Sequence, residues 1–579
     1  MPLPRFTGSS SRRAFLKSVR NPFVVLCAGL GFAGLAVSGD AAVTYAPGPL
    51  LTIDVRQNRH QISPDIYGLS LTNADPALIA FAQDLQLPVL RLGGAQSTRY
   101  NWELDATNTG DDDFFFAGNG AASYSAAASV DNFVTSATNA GARTIVTIPM
   151  ISRINNVPGN ALDCSFPQSI TPVQKAFRTR TPAIGAPVVA GNGRRNDTPG
   201  TPLPITGAVQ AHIDSIHTDN TTDHQAAFVQ YLINTHGTPL TLFQLDHEPS
   251  QWHVKHRDVQ TAPIGFNELT TRSIAYATRI KEIDPEAQII GPSDYGYPVI
   301  GGTAGGRIGD NFNTHGLPLA AYYLRAMSQA SIAEGVLLLN YFDEHHFPAP
   351  ATGGQPIAFA PAGNATTQAQ RLASTRSLWD PTYTETGAVI RLIPRLRELV
   401  STYFSNVPPD DSPKVALSAY NFGGLESVNG ALAQADALGI FGREGLDLAT
   451  LAAPPGPTQP GAFAFRIFRN YDGAGSAFGE TSVRAASRNQ AQLSVYAAER
   501  STDGALTVVI VNKTANTVTS NLTLNGFKPG PRARVYRYSA ANAGAIVSLG
   551  EWLTTPYGVV GSYAANSIYV LEIPNRNLL

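Results

Sequence analysis

The chain has 579 residues, 43% of them hydrophobic and 15% charged, with 52 glycines and 41 prolines. So apolar a composition excludes a disordered protein and gives room for two or more domains. A formal net charge of −2 excludes the broad basic surface that nucleic acid or an anionic membrane would need, and it suits a neutral substrate.

At the N-terminus, Ser11-Arg12-Arg13-Ala14-Phe15-Leu16-Lys17 precedes an apolar stretch at 23–37 and small residues at 39–42. Paired arginines before a weakly hydrophobic run predict a twin-arginine signal peptide over residues 1–42, and the run is shorter than the roughly 20 residues of a spanning helix. The expected destination is the periplasm or the extracellular space, with no membrane contact in the mature form. Cys27 leaves with the signal, so Cys164 stands alone and no internal disulfide is expected.

Residues 43–75 hold short strands of period two, beginning with Leu51-Thr52-Ile53-Asp54-Val55. From 76 to 454, apolar runs at 89–92, 144–148, 240–245, 288–290, 336–339 and 414–417 alternate with helical stretches such as 266–283 and 389–404. Such alternation over that length predicts a parallel sheet closed as a TIM-like (β/α)8 barrel. Polar residues suited to a site end these runs: Arg91, Asp246, Glu248, Asp343, His345, Tyr420 and Asn421. The loop-like stretch 190–222 reads as an insertion on the barrel's top face. After a proline-rich break at 452–457, strands at 492–496, 506–511, 522–524, 534–538 and 567–573 predict a β-sandwich over 455–579. Asp503-Gly504 marks a hairpin there. The N-terminal strands need a sheet to pair with and are assigned to the same sandwich.

The apolar stretch 241–245 stops at Asp246-His247-Glu248-Pro249. A carboxylate at the C-terminal end of a buried barrel strand is where such enzymes keep their chemistry. A general acid holds its proton through partial burial or a nearby negative charge, and Asp246 is the candidate for that charge. The competing reading of Glu248 is a strand-end salt bridge. No metal site is expected, because Glu344 with His345-His346, and His253 with His256, lack a spacing that puts three ligands on one face. Asp111-Asp112-Asp113 offers oxygens to a structural calcium, against the reading of a solvated acidic loop. No cofactor is required otherwise. Trp102, Trp252 and Trp379 lie near the expected site, where flat rings either stack on sugars or fill core.

The ordered stretches 58–68, 92–102, 241–252, 376–383, 431–446 and 468–473 resemble glycoside hydrolase family 44, a family of endo-β-1,4-glucanases and xyloglucanases. The resemblance implies a TIM-like barrel with a sandwich built from both chain ends, Glu248 as acid/base, a β-glucan polysaccharide as partner, and a monomer. It also sharpens three departures. The family's Thr/Ser-Glu-Tyr-Asn motif, whose Glu is the nucleophile, is matched by Ser418-Ala419-Tyr420-Asn421. The Asn before the acid/base is His247, and the Asn after Gly93-Gly94 is Ala95. Alanine cannot attack an anomeric carbon or stabilise an oxocarbenium-like state, and losing a catalytic carboxylate costs several powers of ten in rate. Glu426 and Asp343 are the substitutes considered, acting as a base on water. Trp102, His247, Trp252, His345, Tyr420 and Asn421 are the expected substrate contacts. Two readings remain: an exported endoglucanase-type hydrolase with altered catalytic equipment, or a catalytically impaired glucan-binding protein on the same scaffold.

Overall fold

The structure, a computed structural model, describes residues 46–578 apart from 199, 238–241, 303–305, 350–355 and 408–411. The signal-peptide assignment to 1–42 lies outside the described residues. Eight parallel strands close a barrel in chain order: β1 (Gly68–Leu71), β2 (Val89–Leu92), β3 (Arg143–Ile148), β4 (Leu242–Leu245), β5 (Gln288–Tyr295), β6 (Tyr341–His346), β7 (Lys414–Tyr420) and β8 (Leu448–Ala452). A helix follows every strand, from Pro76–Asp84 after β1 to Pro460–Arg469 after β8. The expected barrel is therefore present.

Its interior is layered. Val89, Ile145, Leu242, Ile290, Tyr341, Ala416 and Leu448 form an apolar floor. Gly68 takes part by close approach: a Cβ there would lie 2.6 Å from Val89 Cγ1 and 2.8 Å from the Ala449 carbonyl oxygen. Above the floor the interior turns polar. Ser70, Arg91, Gln244, Asp343, Ser418 and Thr450 are all buried, and they are joined by hydrogen bonds. Polar groups so deep persist because each finds a partner.

The sandwich holds both chain ends. Leu51–Asp54 lies between Val518–Asn525, to which it is parallel, and Thr481–Ser487, to which it is antiparallel. Thr481–Ser487 also pairs with Leu493–Glu499 of the second sheet, which continues through Leu506–Asn512, Ser567–Ile573, Arg532–Ser539 and Asn542–Leu553. Leu506–Asn512 is buried along its whole length. Val508 and Ile510 face the sandwich core, while Val509 and Val511 join the barrel's outer core. A strand covered on both faces reads as a continuous apolar run.

Three sequence expectations shift. Gly68–Leu71 is the first barrel strand, so the N-terminal part of the sandwich does not extend to 75. The barrel runs past 454 to Arg469, because Pro460–Arg469 is the helix that covers β8. The run 336–339 is a connection, and the strand beside it is the polar Tyr341–His346, every residue of which is buried. The insertion emerges after β3 and carries the hairpin Phe177–Arg180/Val188–Gly191 and the helix Gly207–Ser215.

Candidate active site

Glu248 follows β4, and Ala419 lies in β7. The backbone around Glu248 is strained, with φ of 62° at Asp246, 47° at Glu248 and 55° at Ser293, none of them glycine. Strain of this kind persists only where the surroundings over-determine it. Asp246 supplies much of that restraint. It accepts from Thr98 Oγ1 at 2.6 Å, from the His247 N–H at 2.7 Å, and from the Met150 and Ile151 N–H groups. Asp246 thus ties β4 to the loops after β2 and β3 and turns away from Glu248, contrary to the expected role as its charged neighbour. Burial pushes its carboxyl up to about 6. The Glu248 N–H donates to the Ser293 carbonyl at 2.9 Å.

The Glu248 side chain is 14% exposed. Its Oε1 lies 2.9 Å from His345 Nδ1 and 3.7 Å from His247 Nε2. His345 is sealed from solvent, and burial, with Arg91 nearby, lowers it to about 3, so it is neutral. His247 is 11% exposed and is lowered well below its ordinary value, chiefly by burial. Beneath them, Arg91 donates to Gln244 Oε1 at 2.5 Å, Ser70 Oγ at 2.8 Å and His247 Nδ1 at 3.0 Å. Burial lowers Arg91 to about 10, against the charges of Asp343 and Glu248.

Spacing in sequence missed one cluster. His247, Glu248 and His345 bring one donor atom each within 4.8 Å of one another. The donors do not fit a cation. Arg91 has only N–H groups to give, so His247 Nδ1 accepts and its Nε2 carries the ring proton. A metal-bound imidazole instead needs an acceptor behind its second nitrogen. At the acidic stretch offered to calcium, each carboxylate is paired with a cationic side chain. Asp111 pairs with Arg194 and Arg257, Asp112 with Lys255, and Asp113 with Arg178 and Arg180.

The expected substrate contacts divide. His247 reaches the mouth. Trp252 is 1% exposed, and its Nε1–H holds the His247 carbonyl at 3.2 Å. Trp102 stacks on Phe228 with ring centres 5.9 Å apart and donates to the His224 carbonyl. Tyr420 points outward against Phe441 and accepts from Gln434 at 2.7 Å. Asn421 is spent on the Ala452 carbonyl and the Gly423 N–H. His345 lies under Glu248. Trp252, Tyr420 and His345 are supports of the site, because fully buried side chains cannot meet a sugar, whereas Trp102 is half-buried and Asn421 borders a pocket.

The two substitute carboxylates differ, and Asp343 is corrected. Asp343 is fully buried and accepts from Ser418 N–H at 2.7 Å and Ser418 Oγ at 2.5 Å, so no water or sugar reaches it. Glu426 is exposed, accepts from the Ala362 N–H at 2.5 Å with one oxygen, and borders a pocket with Phe359 and Asn421. Ala419 is 2% exposed, lies opposite His345 in register, and joins none of the apolar clusters among the described residues.

Three aromatics went unread in the sequence. Tyr295, at the end of β5, lies 5.9 Å from Phe347, which stacks on Phe359 at 5.5 Å. Phe359 is 71% exposed and borders a pocket of about 330 Å³ shared with Asn421, Glu426 and Pro454. Burial, with the charge of Glu248 adding, raises Tyr295 to about 12. The available signal was position: Tyr295 ends β5 and Phe347 directly follows β6.

Comparison with known proteins agrees with this architecture. The model of glycoside hydrolase family 44 matches residues 106–350. Endoglucanase A of Paenibacillus lautus is 29% identical over 84% of this chain and 67% of its own. The crystal structure of CelM2, a bifunctional glucanase-xylanase from a metagenome library, is 32% identical, covers 91% of this chain and 99% of its own, and superimposes with a TM-score of 0.81. A Paenibacillus polymyxa xyloglucanase of the same family shares the fold at 23% identity and a TM-score of 0.73, over 92% of this chain and 100% of its own. The chain belongs to glycoside hydrolase family 44.

Proposed function

We propose that this protein is an exported hydrolase acting on β-1,4-linked glucan or xyloglucan, with Glu248 as its acid and with weakened catalytic equipment at Ala419. The observation that carries the reading is Glu248 itself, solvent-reached at the end of β4 beside the row Tyr295, Phe347 and Phe359. Flat aromatic faces suit pyranose rings, and His247 offers a polar contact. Names of relatives support the substrate class, since they are an endoglucanase, a glucanase-xylanase and a xyloglucanase. The arginine pair ahead of the apolar run at 23–37 supports export. Monomeric state follows the resemblance alone.

Glycoside hydrolysis ordinarily uses two carboxylates flanking the bond. Asp343 is sealed, which favours slow turnover unless Glu426 serves and gives weight to a second reading, a glucan-binding protein that does not cleave. Reducing-sugar release from a soluble cellulose derivative and from xyloglucan, measured with binding in the same samples, separates the two. Cleavage above background that Glu248→Gln abolishes is the expected result; binding without release selects the second reading. Ala419→Glu is expected to raise cleavage in either case, by restoring a negative charge across the mouth from Glu248. Its failure to do so would remove the altered-nucleophile account.

A further inference from the structure

We infer that this site also makes β-1,4 bonds, transferring a cello-oligosaccharyl unit from a donor whose small anionic leaving group is in the α configuration to the 4-hydroxyl of an acceptor glucan. The inference rests on the reading of Glu248 as the acid/base and of Ala419 as the residue facing it, and it goes beyond cleavage.

The shape of β7 carries it. Leu417 belongs to the apolar cluster outside the barrel, and Tyr420 packs on that same side against Phe441 of the helix Val428–Glu444. In a regular strand, residues three apart face opposite ways. Here β7 pairs with β8 as Leu417 with Ala449 and Tyr420 with Leu451, so Ser418 and Ala419 together oppose the single Thr450. That is a β-bulge, a device that re-aims a side chain beside an active site. Ser418 Oγ reaches Asp343 and His345 inside the barrel, and the bulge turns Ala419 inward with it. On its other side Ala419 is the register partner of His345, whose Nδ1 lies 2.9 Å from Glu248 Oε1. Ser418 and His345 are 0% exposed and Ala419 is 2% exposed, so of these three it is the Ala419 methyl that meets the mouth.

A methyl neither attacks an anomeric carbon nor takes a proton from water. The carboxylates of β6 do not make up for it: Asp343 is buried and held by Ser418, and Glu344, between the inward residues Asp343 and His345, faces the outside of the barrel in register with Asp294. A β-linked sugar bound with its α face over Ala419 therefore meets no nucleophile. A donor carrying its leaving group on that face meets no opposing negative charge. Glu248 remains on the β face. Tyr295 lies two residues past Ser293, whose carbonyl accepts the Glu248 N–H, and it starts the row that continues through Phe347 to Phe359. Flat rings there suit the pyranose units of a bound chain.

The transfer balances without a further reactant. The acceptor 4-hydroxyl oxygen bonds to the anomeric carbon from the Glu248 side, and its proton passes to Glu248. The bond to the leaving group breaks on the Ala419 side, and its electron pair departs with the anion. Glu248 then gives the proton to solvent. The configuration inverts from α to β, and nothing is oxidised or reduced. The product accumulates, because cleaving its new β bond calls for the carboxylate that Ala419 replaces.

The test gives the intact protein α-cellobiosyl fluoride as donor and methyl β-cellobioside as acceptor, with fluoride release followed by electrode and products by mass and proton NMR. The expected result is a β-1,4-linked methyl cellotetraoside formed in step with fluoride, while β-cellobiosyl fluoride stays intact. Glu248→Gln is expected to lower transfer by about 100-fold, the lower end of general base catalysis. Ala419→Glu should reverse the choice of anomer, losing transfer from the α donor and hydrolysing the β donor. If that variant does not fold, Ala419→Ser, close to alanine in size, is expected to raise transfer, since its hydroxyl donates to the departing fluoride. Fluoride released from the α donor without a new glycoside, or transfer that survives Glu248→Gln, overturns the inference. So does hydrolysis of the β donor by wild type, which would show Glu426 or another carboxylate serving on the Ala419 side. Glucan cleavage without transfer overturns this inference and leaves the hydrolase reading standing. Transfer without cleavage supports this inference and counts against that reading, and binding with neither overturns both.

Discussion

Burial decides protonation at several residues around Glu248, and Asp294 shows the consequence for stability. Its carboxylate accepts from Ser250 Oγ at 2.6 Å and from the Tyr295 N–H at 2.8 Å, yet burial raises it from 3.8 to about 7. The unfolded chain ionises this group near pH 4, while the folded chain keeps it neutral to about pH 7. Its contribution is therefore fully present below pH 4 and is lost as pH rises toward 7. Asp294→Asn keeps an oxygen for the same donors and removes the titration. Its melting temperature relative to wild type is expected to rise by a few degrees between pH 5 and pH 8; a difference that stays constant over that range would refute the assignment. Residue identity carried some of this site and not the rest. Glu248 was legible because an apolar strand stops just before it. Ser418 was not, because its role depends on Asp343, Gln244 and His345 converging from two other strands. Trp252 was read as a sugar platform because ring chemistry is the same in core and cleft, and only packing separates the two.

Elements were legible in proportion to their apolar patterning. β2, β3, β4 and β7 appear as apolar runs, whereas β6 is Tyr341-Phe342-Asp343-Glu344-His345-His346, whose Asp343 and His345 join the hydrogen-bonded layer of the barrel while His346 reaches Ser377 outside it. β1 was hidden for a different reason: four residues beginning with glycine carry little period of either kind. The helix Val428–Glu444 is buried from Gly430 to Gly442, because it lies between the barrel and the sandwich. Asp436 on that helix accepts from Thr375 Oγ1, Ser494 Oγ, Tyr496 Oη and Lys513 Nζ, all between 2.6 and 2.7 Å. Lys513 is 3% exposed. Removing one member of a buried pair leaves the other charged and unpaired, at a cost of about 3–5 kcal/mol. Asp436→Ala is expected to lose that much in denaturant unfolding, and Asp436→Leu with Lys513→Met to recover most of it. Equal losses in the single and double variants would show that the pair itself is not what holds the joint.

At the scale of the whole molecule, the sandwich keeps a core between its own sheets, and its other face shares one apolar cluster with the barrel. Tyr496, Val509, Val511, Tyr538, Ile568 and Val570 of the sandwich belong to the apolar cluster that also contains Leu69, Phe243 and Leu438 of the barrel. Phe463 of the last barrel helix stacks on Tyr538 with ring centres 4.8 Å apart and planes 12° from parallel. The two chain ends meet in one sheet, since Leu51–Asp54 is held between Thr481–Ser487 and Val518–Asn525. An isolated barrel would therefore expose a large apolar face and lose the strand that anchors its N-terminal end. Such faces lead to aggregation rather than to a stable smaller domain. Calorimetry of the intact protein is expected to give a single unfolding transition, with the ratio of calorimetric to van't Hoff enthalpy close to one. A fragment spanning 62–470 is expected to be insoluble, and deletion of residues up to Asp54 to lower the melting temperature of barrel and sandwich together. Two resolved transitions, or a soluble and cooperatively folded 62–470 fragment, would show that the shared cluster is an interface between independent domains and not one core.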